Sequence, residues 1–61
     1  MTPAERDAAL DYEARAWMLD CNADPDYVAG LTARQVRAVI DYHYAGGWSA
    51  FVADGGELVT P

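Results

Sequence analysis

His43 is the only histidine and Cys21 the only cysteine of this 61-residue chain, so nucleophilic or metal chemistry would have to start from them. A cysteine becomes a nucleophile when an imidazole or a helix N-terminus draws its thiol to thiolate. Cys21 instead ends the core face of a helical stretch, near a C-terminus, where the helix dipole disfavours an anion. Zinc sites take four ligands in closely spaced pairs, and one cysteine with one histidine makes no such set. His43 falls between Val39-Ile40 and Trp48 in the apolar pattern and reads as a part-buried structural residue. Ser49, in Gly47-Trp48-Ser49-Ala50-Phe51, lacks the strand and second glycine of a nucleophile elbow; it reads as helping to start a helix. Gly46-Gly47 and Gly55-Gly56 have neither the lysine nor the flanking strand of a phosphate loop. These residues point to no catalytic site, no cofactor and no metal.

The remaining chemistry is that of contact. Gly30, Leu31, Thr32, Val36 and Val39 resemble the turn and second helix of a helix-turn-helix. In that reading Arg34, Gln35, Arg37 and Ala38 lie on the exposed N-terminal half, where bases and phosphates are met. Pro25 and Asp26 depart from the pattern, standing where the preceding helix wants an apolar and a small residue. A different alternative comes from the carboxylates. Glu5, Asp7, Asp11, Glu13, Asp20, Asp24 and Asp26 crowd the first 26 residues, so an acidic mimic of DNA is conceivable. Arg6 and Arg15 interrupt that field, and a solvated acidic face is the plainer account. A third feature is aromatic and aliphatic: Tyr12 and Leu19 fall on the back of the first helix and Tyr42 on the back of the third. Tyrosine brings large contact area with few rotatable bonds, which suits binding surfaces.

The elements that position these residues are helices. Thr2-Pro3-Ala4-Glu5 carries a cap, a first-turn proline and a capping-box acid. Leu10, Ala14, Trp17 and Cys21 then recur at three- and four-residue spacing, and Asp11 with Arg15 forms an i, i+4 pair. Ala8, Tyr12, Ala16 and Leu19 make a second apolar strip opposite the first. Asp24-Pro25 opens a short helical turn that Gly30 ends as a left-handed stop. Thr32 and Gln35 form a capping box and Leu31 with Val36 a hydrophobic staple. Val36, Val39, Ile40, His43 and Tyr44 follow on one face until Gly46-Gly47. Trp48, Phe51 and Val52 close the pattern; Asp54-Gly55-Gly56 reads as a turn.

The spacing thus predicts an all-α bundle with helices over 3–21, 25–29, 33–44 and 48–53 and a helix-turn-helix-like corner. A single domain covers 1–54, with 55–61 a frayed tail. Trp17, Val36, Ile40, Tyr44, Trp48 and Phe51 are the expected core. So short a chain buries only about 60% of its unfolded surface, and with no disulfide it must lean on capping, packing or a partner.

Ten carboxylates face four arginines and no lysine, a net charge of −6. That balance disfavours nucleic acid and anionic membranes and favours a basic partner surface. Ala16-Trp17-Met18-Leu19 is far too short for a membrane span. The start lacks the apolar stretch of a secretory signal, and a lone thiol suits a reducing cytoplasm.

Asp24-Pro25-Asp26-Tyr27-Val28, Leu31-Thr32 through Gln35-Val36 and Ile40, then His43-Tyr44-Ala45-Gly46-Gly47-Trp48, after an acidic first helix, resemble small uncharacterised helical proteins of actinobacterial phages. The Ala, Arg and Asp bias without lysine fits a GC-rich genome. The resemblance covers most of residues 10–54 and names no site residues. It implies an accessory protein made in the host bacterial cytoplasm that acts by binding a host factor. The sequence therefore predicts protein–protein contact or self-association through Tyr12, Leu19 and Tyr42. DNA binding through Arg34, Gln35 and Arg37 is one alternative and an acidic DNA mimic the other.

Overall fold

Each helix starts where a polar side chain can take up its free amides. The computed structural model describes the backbone of residues 2–59 and the side chains of residues 2–55, in four helices and no strand among the described residues. These are α1 (Pro3–Asp20), α2 (Pro25–Ala29), α3 (Ala33–His43) and α4 (Gly47–Val59), an all-α bundle. Thr2 accepts from the Glu5 amide at 3.2 Å and Asp24 from the Tyr27 amide at 2.9 Å, each followed by proline at the helix start. Thr32 and Gln35 close a full capping box, with bonds of 3.2 and 2.8 Å. At α1 the Glu5 carboxylate accepts from the Thr2 hydroxyl.

At about 1.5 Å per residue, the 18 residues of α1 run nearly the full 31 Å length of the molecule. It contributes Leu10, Ala14 and Met18 to the core, against Val28, Val36, Ile40 and Phe51. The buried stripe is therefore 10–14–18, at strict i, i+4 spacing. Met18 and Val28 join the core. Trp17, Tyr44 and Trp48, expected inside, pack half-buried against it. Their rings form a chain, Trp17 edge-on to Tyr44 at 5.6 Å, Tyr44 edge-on to Phe51 at 5.3 Å, and Phe51 stacked on Trp48 at 5.5 Å. Rings this large cannot all be covered by so few neighbours, and edge contact keeps one side of each against the core.

Cys21 is exposed, contrary to the expected core position. The reason is a Schellman motif: Asn22 adopts a left-handed φ of 67°, Ala23 N–H reaches Met18 O at 3.0 Å and Asn22 N–H reaches Leu19 O at 3.0 Å. The chain leaves the helix at Cys21 before its side chain can turn inward. Gly30, expected to be the left-handed stop, is right-handed at φ −82° and ψ −7°. An arginine braces this end. Arg15 donates to Val28 O at 2.6 Å and to Leu31 O at 2.8 Å, while its Nε donates to Asp11 at 2.8 Å. The end of α2 closes on its own backbone: Gly30 N–H reaches Asp26 O at 3.1 Å and Tyr27 O at 3.2 Å, and Leu31 N–H reaches Val28 O at 3.2 Å, so no left-handed residue is needed.

His43 is exposed rather than part-buried. The inner stripe of α3 is Val36, Ile40 and then Tyr44, so positions 39 and 43 lie at its margin, where Val39 stays half-buried.

The start of α4 is made by Asp41, not Ser49. Its Oδ1 accepts from the Trp48 amide at 3.0 Å. Gly46 and Gly47, at φ +88° and +75°, let the chain turn back tightly enough for that bond. Asp54-Gly55-Gly56 continues α4 and is not a turn, and residues 55–59, expected as frayed tail, are helical. Two glycines inside a helix cost roughly 2 kcal/mol relative to alanine. Gly55 is buried, and a Cβ there would stand 3.2 Å from Leu10 Cδ2, so its missing side chain lets α4 approach α1. Thr60 and Pro61 lie outside the described residues. Among the described residues no helix is long and apolar enough to cross a membrane.

Candidate functional site

Among the described residues the second strip of α1 is only partly covered, by α2. Tyr12 is 71% and Leu19 44% exposed, as their place on the helix predicts. They line one groove, floored by Ala16 and closed by Pro25, Val28 and Ala29 of α2. Arg15 also lines it while its guanidinium is spent on Asp11 and two carbonyls. The groove is accordingly apolar in character, and its walls are pinned by that arginine.

Tyr42, 85% exposed, is on α3 and does not line this groove. It stands edge-on to His43 with ring centroids 4.9 Å apart. The structure therefore brings Tyr12 and Leu19 together and leaves Tyr42 on a separate surface.

Tyr27, at 55% exposure, is a further large side chain in solvent that the sequence reading passed over. A helix of five residues can turn only one side chain fully inward, here Val28, and that was the available signal. Tyr27 lines a second groove with Trp17, Met18, Cys21, Val39 and His43. The thiol and the imidazole thus share a groove. Among the described residues no hydrogen bond joins them, and no group of three or more His, Cys, Asp or Glu could hold a metal ion.

The residues of the nucleic-acid alternative are all exposed at the N-terminal half of α3, but only in part available. The side-chain oxygen of Gln35 accepts from the Thr32 amide at 2.8 Å. The Arg37 guanidinium lies 5.5 Å from the centre of the Trp48 ring, and Arg37 lines a groove with Asp7 and Asp11. Cation–π contact and two neighbouring carboxylates compete with a phosphate for that charge.

The Tyr44 phenol is perturbed. Tyr44 donates its hydroxyl to Asp54, and that hydrogen bond, with some desolvation and the carboxylate's charge, raises the phenol above its ordinary value.

Comparison with protein-family models, with curated proteins and with solved structures finds no match for this chain.

Proposed function

We propose that this is a small acidic accessory protein that acts by protein–protein contact. The observation that carries the reading is the Tyr12–Leu19 groove between α1 and α2. Large aromatic and aliphatic side chains left in water around a concave strip are the usual make-up of a binding surface. Net charge of −6 favours a partner with a basic face and opposes adsorption to nucleic acid. The resemblance to actinobacterial-phage proteins supports a modulator of a host protein acting in a bacterial cytoplasm.

The test is capture from bacterial lysate with wild type beside Tyr12→Ser/Leu19→Ser, read by mass spectrometry, with sedimentation of each protein alone. Wild type should retain a protein, or a second copy of itself, that the double variant loses. Identical background from both, with a monomeric mass for wild type, defeats the reading.

Helix-turn-helix DNA binding draws support only from the capped start of α3 and the exposed Arg34, since Gln35 and Arg37 are engaged elsewhere. Salt-dependent binding of duplex DNA that Arg34→Ala/Arg37→Ala abolishes would promote it. The acidic-mimic alternative predicts that the captured protein is itself a DNA-binding protein.

A further inference from the structure

A third groove lies on the side of α1 that faces α4. Trp17, Tyr44 and Phe51 form its aromatic wall, and Glu13, Asp20 and Asp54 stand around it, enclosing about 260 Å³. Glu13 and Asp20 are two turns apart on α1 with Trp17 between them. Asp54 is held from α4 by the Tyr44 hydroxyl. No basic side chain lines the groove among the described residues. The one ion pair among them, Arg15 with Asp11, is elsewhere on α1.

Electron-rich ring faces beside carboxylates attract a cation, and a planar guanidinium gains most because it stacks on rings while its N–H groups fork to carboxylates. The volume is below the roughly 300–1,000 Å³ of typical small-molecule sites. It suits one side chain of a larger partner. Three acids at the opening repel phosphate, so nucleic acid and anionic lipid do not fit.

We infer that this groove receives an arginine side chain from a basic segment of the partner protein. The inference rests on the contact reading above and deepens it: Tyr12 and Leu19 supply apolar area, and the aromatic–acidic groove selects the partner's charge.

The probe is a capped tetra-arginine peptide, titrated into the ¹⁵N-labelled full chain and followed by amide and indole chemical shifts. Shifts should concentrate on residues 13–20, on Tyr44 and on residues 51–55, with capped tetra-lysine binding more weakly. Glu13→Gln/Asp20→Asn should weaken tetra-arginine about tenfold, because both charges face the ligand. Asp7→Asn/Asp26→Asn removes the same net charge outside the groove and should change affinity by less than about twofold. Equal losses in the two double variants, shifts spread elsewhere, or no binding overturn the inference. So does a dimer of the chain alone that Glu13→Gln/Asp20→Asn dissolves, which would make the occupant a second copy. The wild-type shift map stands whatever happens to a variant's folding. A partner captured through Tyr12 and Leu19 with no peptide bound here would end this inference and leave the contact reading in place.

Discussion

Arg15 donates to the Val28 carbonyl at 2.6 Å across thirteen positions of chain, and this contact joins the middle of the longest helix to the end of the shortest. With its bonds to Asp11 and Leu31, one side chain pins the end of α2 and the entry to α3. A side chain on the partly buried seam of two helices has become the joint of the fold.

Arg15→Met should therefore destabilise the protein by about 2 kcal/mol, the loss of charge-assisted bonds to Val28 O, Leu31 O and Asp11. Domains of this size hold only about 3–5 kcal/mol in all, so urea unfolding followed by tryptophan fluorescence should show a sharply lowered midpoint. Arg15→Lys should recover little, since an ammonium cannot fork to Asp11 and two carbonyls together. A midpoint unchanged in Arg15→Met contradicts the role given to it.

The glycines separate into two kinds. Gly30 is right-handed and a Cβ there meets nothing closer than 3.5 Å. Gly30→Ala should be neutral or stabilising by up to about 1 kcal/mol. Gly47 is left-handed, and a Cβ would come 2.5 Å from the Asp41 Oδ1 that caps α4. Gly47→Ala should cost about 2–3 kcal/mol, from backbone strain together with a lost cap. Thermal unfolding by circular dichroism of the two variants should move in opposite directions, or stay still for the first and fall for the second.

Tyr44 gives a pH dependence. Its raised phenol pKa means that the folded state favours the protonated form. The stabilisation is fully present below the ordinary value of about 10 and is lost as pH rises through the raised one. The stability advantage of wild type over Tyr44→Phe should be largest near neutrality and should narrow above about pH 10. Urea midpoints of the pair near neutrality and in strong alkali check the sign. An advantage that widens in alkali would contradict the hydrogen bond to Asp54.

Tyr12→Ser/Leu19→Ser should lower stability by no more than about 2 kcal/mol, from helix propensity and the covered part of Leu19, because Tyr12 is 71% and Leu19 44% exposed. Ile40→Ala, at a fully buried position, should cost about 2–5 kcal/mol. A large loss in the surface pair would mean that those side chains hold the monomer together, and the contact reading would lose its ground.

What was legible in the sequence was local. Thr2, Asp24 and Thr32 announced helix starts through bonds to residues three positions on, and the exposure of Tyr12, Leu19 and Tyr42 followed from helical spacing. The misread positions depend on remote partners. A glycine after a short helix suggests a left-handed stop, but at Gly30 right-handed backbone closes the helix end and a remote Arg15 braces it. Gly55-Gly56 reads locally as a turn because the reason for a bare helix position is Leu10, remote along the chain but in contact in the fold. Asp41 carries no local capping signal, because it reaches seven positions forward to begin α4. Of the candidate surfaces, Tyr12 and Leu19 were readable as exposed. Their shared groove needed the placement of Pro25 and Val28, which only the folded chain supplies.

Leu10 against Gly55 has an implication for synthesis. During translation the first helix leaves the ribosome with its inner stripe bare, and the residue that closes over Leu10 is made only after the three elements between them. Burial of that stripe must wait until the far helix is made, so a nascent chain halted before Gly55 would present an uncovered Leu10 to chaperones and proteases.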